Sequence, residues 1–190
     1  MNECSLTMTR KDQIIETAID LFSAESFESV GIQKLAAASG VAQGLLYRHF
    51  KNKNDLLLHL ILKGMEQVQH TLQFYVNDEL SFQQAFAAHI NLSLRYLRSN
   101  YKLWKILHNT RQNAALVSAL DFNFDPSKAI IKPMKEKMSK DGIADAEIKA
   151  WHIFTLVDGI TSLYLAHPDL YPLKKMEKFL NDNINLYVSE

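Results

Sequence analysis

Between Ser29 and Asn54 the chain places the cations Lys34, Arg48, Lys51 and Lys53 and not one Asp or Glu. Basic side chains without acidic neighbours neutralise phosphates and release their counterions, which is the chemistry of nucleic-acid affinity. Interleaved with them are Gln33, Gln43, Tyr47 and His49, whose polar groups suit base edges and the sugar-phosphate backbone. The whole chain is balanced, with 21 basic and 21 acidic residues, so the patch is local and argues against general coating of nucleic acid.

Catalytic chemistry has no comparable signature. The chain lacks a G-x-G-x-x-G turn, a Gly-rich phosphate loop with its Lys, a G-x-S-x-G elbow and an H-E-x-x-H pair. No acidic residue stands three before any of the seven histidines, which excludes the Glu-x-x-His iron signature of helical bundles. Neither a metal nor a cofactor is expected. A small-molecule pocket has more support: Trp104, His108 and Arg111 recur at helical spacing on one face, an aromatic, a titratable ring and a cation together. Such a set suits a planar or anionic organic molecule, with Phe74, Tyr96, Phe154 and Asp158 as further candidates. The alternative for the same face is a core tryptophan flanked by surface or paired polar groups.

These residues need helices to hold them. Only six Gly and four Pro interrupt 190 residues, apolar side chains recur at helical spacing nearly throughout, and 47% hydrophobic content is ordinary for a globular chain. The expected fold is all-α. Gly31 to Lys53 reads as two short helices with a tight turn at Gly40, where a residue without Cβ takes a left-handed conformation cheaply. Leu46 and Phe50 then form an inward face, leaving Gln43, Gly44, Leu45, Tyr47, Arg48 and His49 nearer the other. That is a helix-turn-helix with its second helix suited to a DNA major groove.

Before it, Thr9 and Asp12 form a capping box for a helix burying Ile14, Ile15, Ala18, Leu21 and Phe22. Arg10 stands at the start of that helix, within reach of a phosphate, and residues 1–8 read as a loose arm. After it, Asn52 and Asp55 cap a long helix running to about Tyr75, too long for a small DNA-binding head alone. Further helices are expected over 82–98, 101–120, 127–140 with a kink near Pro133, 144–166 and 173–188, with a break at 121–126. Trp151 to Leu165 is apolar almost all round, which predicts burial on more than one side. With the final helix it suggests a dimer interface through Gly159, Ser162, Leu163, Ala166, Phe179 and Ile184. The single Cys4 makes no internal disulfide, and the start lacks the apolar core of a signal peptide, so a cytoplasmic protein without a membrane span is expected.

Arg10 to Leu57, about a quarter of the chain, resembles the N-terminal domain of the TetR family of bacterial transcriptional regulators. The residues that carry the likeness are Ile14, Ala18, Leu21 and Phe22, then Leu35-Ala36 and Ser39-Gly40-Val41, then Gly44, Leu46-Tyr47, His49-Phe50, Lys53 and Leu56. The chain departs from the family pattern at Ser26, where Gly is usual after the first helix. It departs again at Val30 and Ala42, where Ser or Thr hydroxyls usually cap the two helices, a loss of ~1 kcal/mol each.

The resemblance implies a DNA-binding head, residues 1–53, and an effector-binding and dimerisation body, 54–190. It implies a homodimer on a palindromic double-stranded operator, released by a small molecule that the sequence does not identify. Within the head, Gln43, Leu45, Tyr47 and His49 fit base edges or the groove, while Arg10, Lys34, Arg48, Lys51 and Lys53, and Tyr47 as well, fit phosphates. The rival readings are a helical small-molecule carrier or enzyme with a vestigial head, favoured only by Val30 and Ala42, and a module binding an acidic protein.

Overall fold

The computed structural model describes residues 9–120 and 125–187, and every regular element among them is a helix. The expected arm 1–8, residues 121–124 of the expected break, Val188 and the side chain of Tyr187 lie outside the described residues.

Helix α1, Arg10–Glu25, begins with the capping box: the Thr9 hydroxyl accepts the Asp12 amide at 3.1 Å, and the Asp12 carboxylate accepts the Thr9 amide at 3.1 Å. The Thr9 hydroxyl also donates to the Asp12 carboxylate at 2.6 Å, and this bond first, with that from the Thr9 amide, holds the Asp12 carboxyl below the ordinary carboxylate range. The buried stripe is Ile14, Ile15, Ala18, Ile19 and Phe22. Leu21, expected there, is only half-buried and Ile19 replaces it. The reason is periodic: Ile15, Ile19 and Phe22 follow one another by four and three residues, whereas Leu21 stands a ~100° step away from Phe22.

Two short helices follow, α2 (Ile32–Ala38) and α3 (Gln43–His49). Their corner is a Schellman closure: Gly40 has φ +62° and donates to the Ala37 carbonyl at 3.1 Å, while the Val41 amide donates to Ala36 at 3.1 Å. The cap position of α2 falls on Gly31 rather than on Val30, and Val30 is fully buried as a core residue. Ala42 caps α3 without a side-chain bond. Helix α4, Lys53–Leu72, opens on the expected pair, with the Asp55 amide donating to Asn52 Oδ1 at 2.9 Å. A 3₁₀ turn, Gln73–Val76, carries the chain on past the expected end at Tyr75.

Helix α5, Phe82–Ser99, starts with a second capping box, Ser81 with Gln84. The single helix expected over 101–120 is two, α6 (Tyr101–Gln112) and α7 (Ala114–Ala119). Asn113 divides them because its side-chain oxygen accepts the Leu116 amide at 3.0 Å and starts a new helix. A π-helical segment, Ser127–Ile131, leads into α8, Lys132–Lys140; Pro133, which cannot donate, stands in the first turn of α8 where the missing N–H costs least. Gly142, at φ +74°, follows its end. Helix α9 is Ala146–Ala166 and α10 is Leu173–Asp182, after which a 3₁₀ turn, Ile184–Tyr187, replaces the expected helical continuation.

The chain forms two compact units of packing. The first is Met1–Gly64 with Lys102–Phe122, the second Met65–Tyr101 with Asn123–Glu190. In the first, Ile14, Phe22, Val30, Leu35, Leu46, Leu56, Leu57 and Leu60 make the core. In the second, Phe82, Phe86, Ile90 and Leu94 of α5, Met134 and Met138 of α8, and Ile153 and Ile160 of α9 do so. A buried Lys137 is paired there with Asp141 at 3.3 Å, and Asp141 also accepts the Phe82 amide at 2.5 Å. Burial of α9 differs from expectation. Only Ala150, Ile153, Ile160 and Leu165 are buried, while Trp151, Phe154, Leu156, Val157 and Tyr164 are half-buried and Leu163 is exposed. Among the described residues no helix is long and apolar enough to cross a membrane.

Candidate nucleic-acid interface

Helix α3 is seated by Leu46, fully buried, and by Phe50 just beyond its end, whose amide donates to the Leu46 carbonyl at 2.9 Å. The Phe50 ring packs edge-on against His59 at 5.8 Å, and the Lys11 ammonium lies 5.8 Å from its centroid. With that anchor fixed, Gln43, Gly44, Tyr47, Arg48 and His49 are exposed, and Tyr47 presents its ring to solvent at 47% exposure. Leu45, assigned to the same outward set, is half-buried, so only part of it is offered. Arg48 and His49 occupy the last turn, where cations complement the helix dipole.

The flanking basic residues divide. Lys51 is exposed, with its backbone amide held by Asp55 at 2.8 Å. Arg10 is exposed and donates to Gln13 at 2.9 Å. Gln33 and Lys34 are exposed on α2, but the Lys34 ammonium is paired with Glu25 at 2.6 Å. An exposed pair of this kind is worth under ~1 kcal/mol and yields to a phosphate. The other acids of α1 are engaged as well, Glu16 by Lys63 at 3.4 Å and Asp20 by Lys102 at 2.7 Å. Their charge is thereby offset within the same unit. Lys53 alone turns inward, its ammonium donating to the carbonyls of Phe27 at 2.9 Å and Val30 at 3.1 Å. Sequence reasoning missed that contact, for which the residue types hold no local signal.

The candidate effector residues do not form one group within either unit. Trp104 and His108, half-buried, and Arg111, exposed, share one side of α6 in the first unit, apart from its buried Leu103, Ile106 and Thr110. Phe74, Tyr96, Phe154 and Asp158 belong to the second and are half-buried. Tyr96 meets His70 at 3.2 Å, and Phe154 packs edge-on against Trp151 at 6.0 Å. An open depression of about 640 Å³ in the second unit is lined by Lys135, Ser139, Ile143 and Ile148 among others, and by none of those seven. Of the candidate dimer residues, Gly159, Ser162 and Ile184 are half-buried and Ala166 is exposed. Leu163 and Phe179 are 52% and 51% exposed, and Leu186, not singled out from sequence, is 69% exposed.

Residues 14–60 match the family model of bacterial regulatory proteins, tetR family. The fatty acid metabolism regulator protein of Bacillus subtilis is 26% identical over 91 residues, 48% of this chain and 47% of that protein. An HTH-type transcriptional regulator of Staphylococcus aureus (strain USA300) is 36% identical over 56 residues, 30% of each chain. The match thus spans about half, or less, of the length of these curated relatives. Among solved structures, the fatty acid degradation regulator FadR from Bacillus halodurans superposes with TM-score 0.72 at 20% identity over 94% of each chain. FadR from Bacillus subtilis, in complex with stearoyl-CoA, gives 0.71 at 19% identity over 93% of this chain and 97% of its own. These likenesses establish a shared fold along nearly the whole chain.

Proposed function

Because the chain belongs to the TetR family of bacterial regulatory proteins, we propose that it is a sequence-specific DNA-binding transcriptional regulator, a repressor released from a palindromic operator by a small molecule. The observation that carries this is the outward face of α3. Gln43, Gly44, Tyr47, Arg48 and His49 stand exposed on a stretch without acidic residues, over an inner face locked by Leu46 and Phe50.

Gln43 pairs with adenine through its amide, and the exposed part of Leu45 meets a thymine methyl. Arg10, Gln33, Lys34, Tyr47, Arg48, His49 and Lys51 hold the backbone and set the register. We keep the functional division of a head, residues 1–53, from an effector and dimerisation body, 54–190; the compact units are units of packing and cut the chain elsewhere. The protein acts in the cytoplasm as a homodimer, whose two heads read half-sites ~34 Å apart. The effector acts only through unequal affinity for the DNA-bound and released arrangements of the heads. Since the Bacillus subtilis FadR structure holds stearoyl-CoA, long-chain acyl thioesters are the first effector class to try.

Selection of duplexes from a random pool at physiological salt tests the proposal. Recovery of a palindrome with two half-sites, released on adding stearoyl-CoA, is the expected result. Recovery of the unenriched pool removes the regulatory assignment, and a palindrome indifferent to stearoyl-CoA removes only that effector class.

A further inference from the structure

We propose that Lys53 is a positioning residue of the DNA-binding head, and not one of its phosphate ligands; this rests on the regulatory function proposed above. Its ammonium lies 2.9 Å from the Phe27 carbonyl and 3.1 Å from that of Val30, with the Glu28 carbonyl at 3.5 Å. It also stands 4.2 Å from the centroid of the Phe27 ring. A lysine has three N–H donors and no more. Three carbonyl oxygens of one turn surround them, and the face of an aromatic ring attracts the same charge. Phe27 and Val30 are buried, at 9% and 0% exposure, so this seat is part of the folded core of the first unit.

The turn needs such a cation. Its carbonyl oxygens converge, and their partial negative charges oppose one another until a donor lies between them. The chain enters the turn through Ser26 at φ +76° and leaves it at Gly31, which starts α2 without a side-chain cap. No side chain at the α2 start therefore fixes where that helix begins. Lys53 does so from a distance, as the first residue of α4. Its ammonium ties the start of α4 to the turn that launches α2. The Schellman closure at Gly40 carries that direction on to α3. A phosphate contact would require Lys53 to give up bonds it already makes, whereas Arg48 and Lys51 are exposed.

The test uses the full-length protein and two variants, Lys53→Met and Lys53→Arg, with the best duplex from the selection titrated over a range of salt. Amide hydrogen exchange is followed on the free proteins well below their unfolding temperatures. The expected result is a loss of affinity of roughly tenfold or more for Lys53→Met. The salt slope should stay parallel to that of the native protein, and exchange should quicken selectively over residues 27–35. Arginine should fail to restore affinity, because its planar fork does not match three converging carbonyls.

Three results would overturn the proposal. One is a salt slope shallower by ~0.9, the share of one phosphate, with Lys53→Arg as good as native and exchange unchanged. Another is uniformly faster exchange with native affinity per folded molecule, which is stability alone. The third is native exchange over 27–35. If the native protein selects no duplex, the regulatory function falls by itself. The exchange pattern then still decides whether Lys53 holds the turn.

Discussion

A Cβ placed on Gly64 would overlap the Leu107 Cδ2, so α4 and α6 meet here with one backbone against one side chain. Glycine inside a helix costs ~1 kcal/mol relative to alanine, and the close approach is the physical reason for its presence. Gly64→Ala should destabilise the protein by about 1–3 kcal/mol despite the better propensity. The obstructing atom is the far end of a leucine, so Leu107→Ala should relieve the clash. Urea unfolding of the single and double variants measures it: a coupling of ~0.5 kcal/mol or more is expected, and additivity would show that the contact has no weight.

Ser26 has φ +76° and ψ 153°, a region that glycine enters and side chains avoid. Such strain costs about 1–3 kcal/mol, against ~0.5–1 kcal/mol for the extra freedom of an unfolded glycine. The 3.3 Å contact between the Ser26 and Ser29 hydroxyls is long and exposed and offsets little. Ser26→Gly should therefore raise stability by about 1 kcal/mol. A melting temperature at or below the native value would count against the strain.

His89 is buried beside Tyr75, with ring centroids 5.4 Å apart and its Nδ1 3.2 Å from the Thr71 carbonyl. Burial pushes its pKa down to about 4 from 6.5, outweighing the hydrogen bond, which favours the charged form. The native imidazole is thus neutral where the unfolded one takes up a proton. Stability from this group is complete above pH ~6.5, is lost as pH falls toward 4, and amounts to about 3 kcal/mol. His89→Gln keeps a donor for the Thr71 carbonyl without the titration. The difference in unfolding free energy between native and variant should shrink by that amount from pH 7 to 4, and a constant difference would refute the assignment.

On α3, Tyr47 presents its ring outward at 47% exposure while Leu46 beside it is fully buried. Tyr47→Ala should weaken binding to the selected duplex by roughly tenfold, the order of a lost contact to DNA. Helical content and oligomeric state should not change. Unaltered affinity would remove Tyr47 from the interface.

The head was legible because its signals are local. A turn at Gly40 requires φ above zero, Leu46 and Phe50 are one helical turn apart, and Thr9–Asp12 and Asn52–Asp55 cap helices within three residues. What stayed hidden depends on distant partners. The charge of Lys53 is plain in the sequence, but the carbonyls it meets lie 26 and 23 residues earlier, and only folding brings them to it. Asn113 is compatible with a helix interior until its side chain takes the Leu116 amide and divides α6 from α7. Of the seven candidate effector residues only Trp104, His108 and Arg111 share a helical face, and the division of the seven between two packing units has no sequence signal.

Two exposed apolar residues of the second unit, Leu163 and Phe179, lead to the last prediction. α10 is fastened to α5 through Leu173 and Leu180, both buried, through Arg98 paired with Glu177 at 2.6 Å, and through the amides of Asn91 and Asn181 at 2.9 Å. Those contacts fix which way the helix faces and leave Phe179 51% exposed, with Leu163 of α9 52% exposed. A single exposed apolar residue is ordinary, whereas large ones on two helices of one unit point to a surface that associates. A second copy of the chain is the proposed occupant, since two heads are what a palindrome requires. Phe179→Asp would place a charge in that face, where burial without a partner is costly. Sedimentation should show the native protein at twice the chain mass and the variant at the chain mass, with its helical content kept. A native protein that sediments as a single chain would exclude the two-fold arrangement altogether.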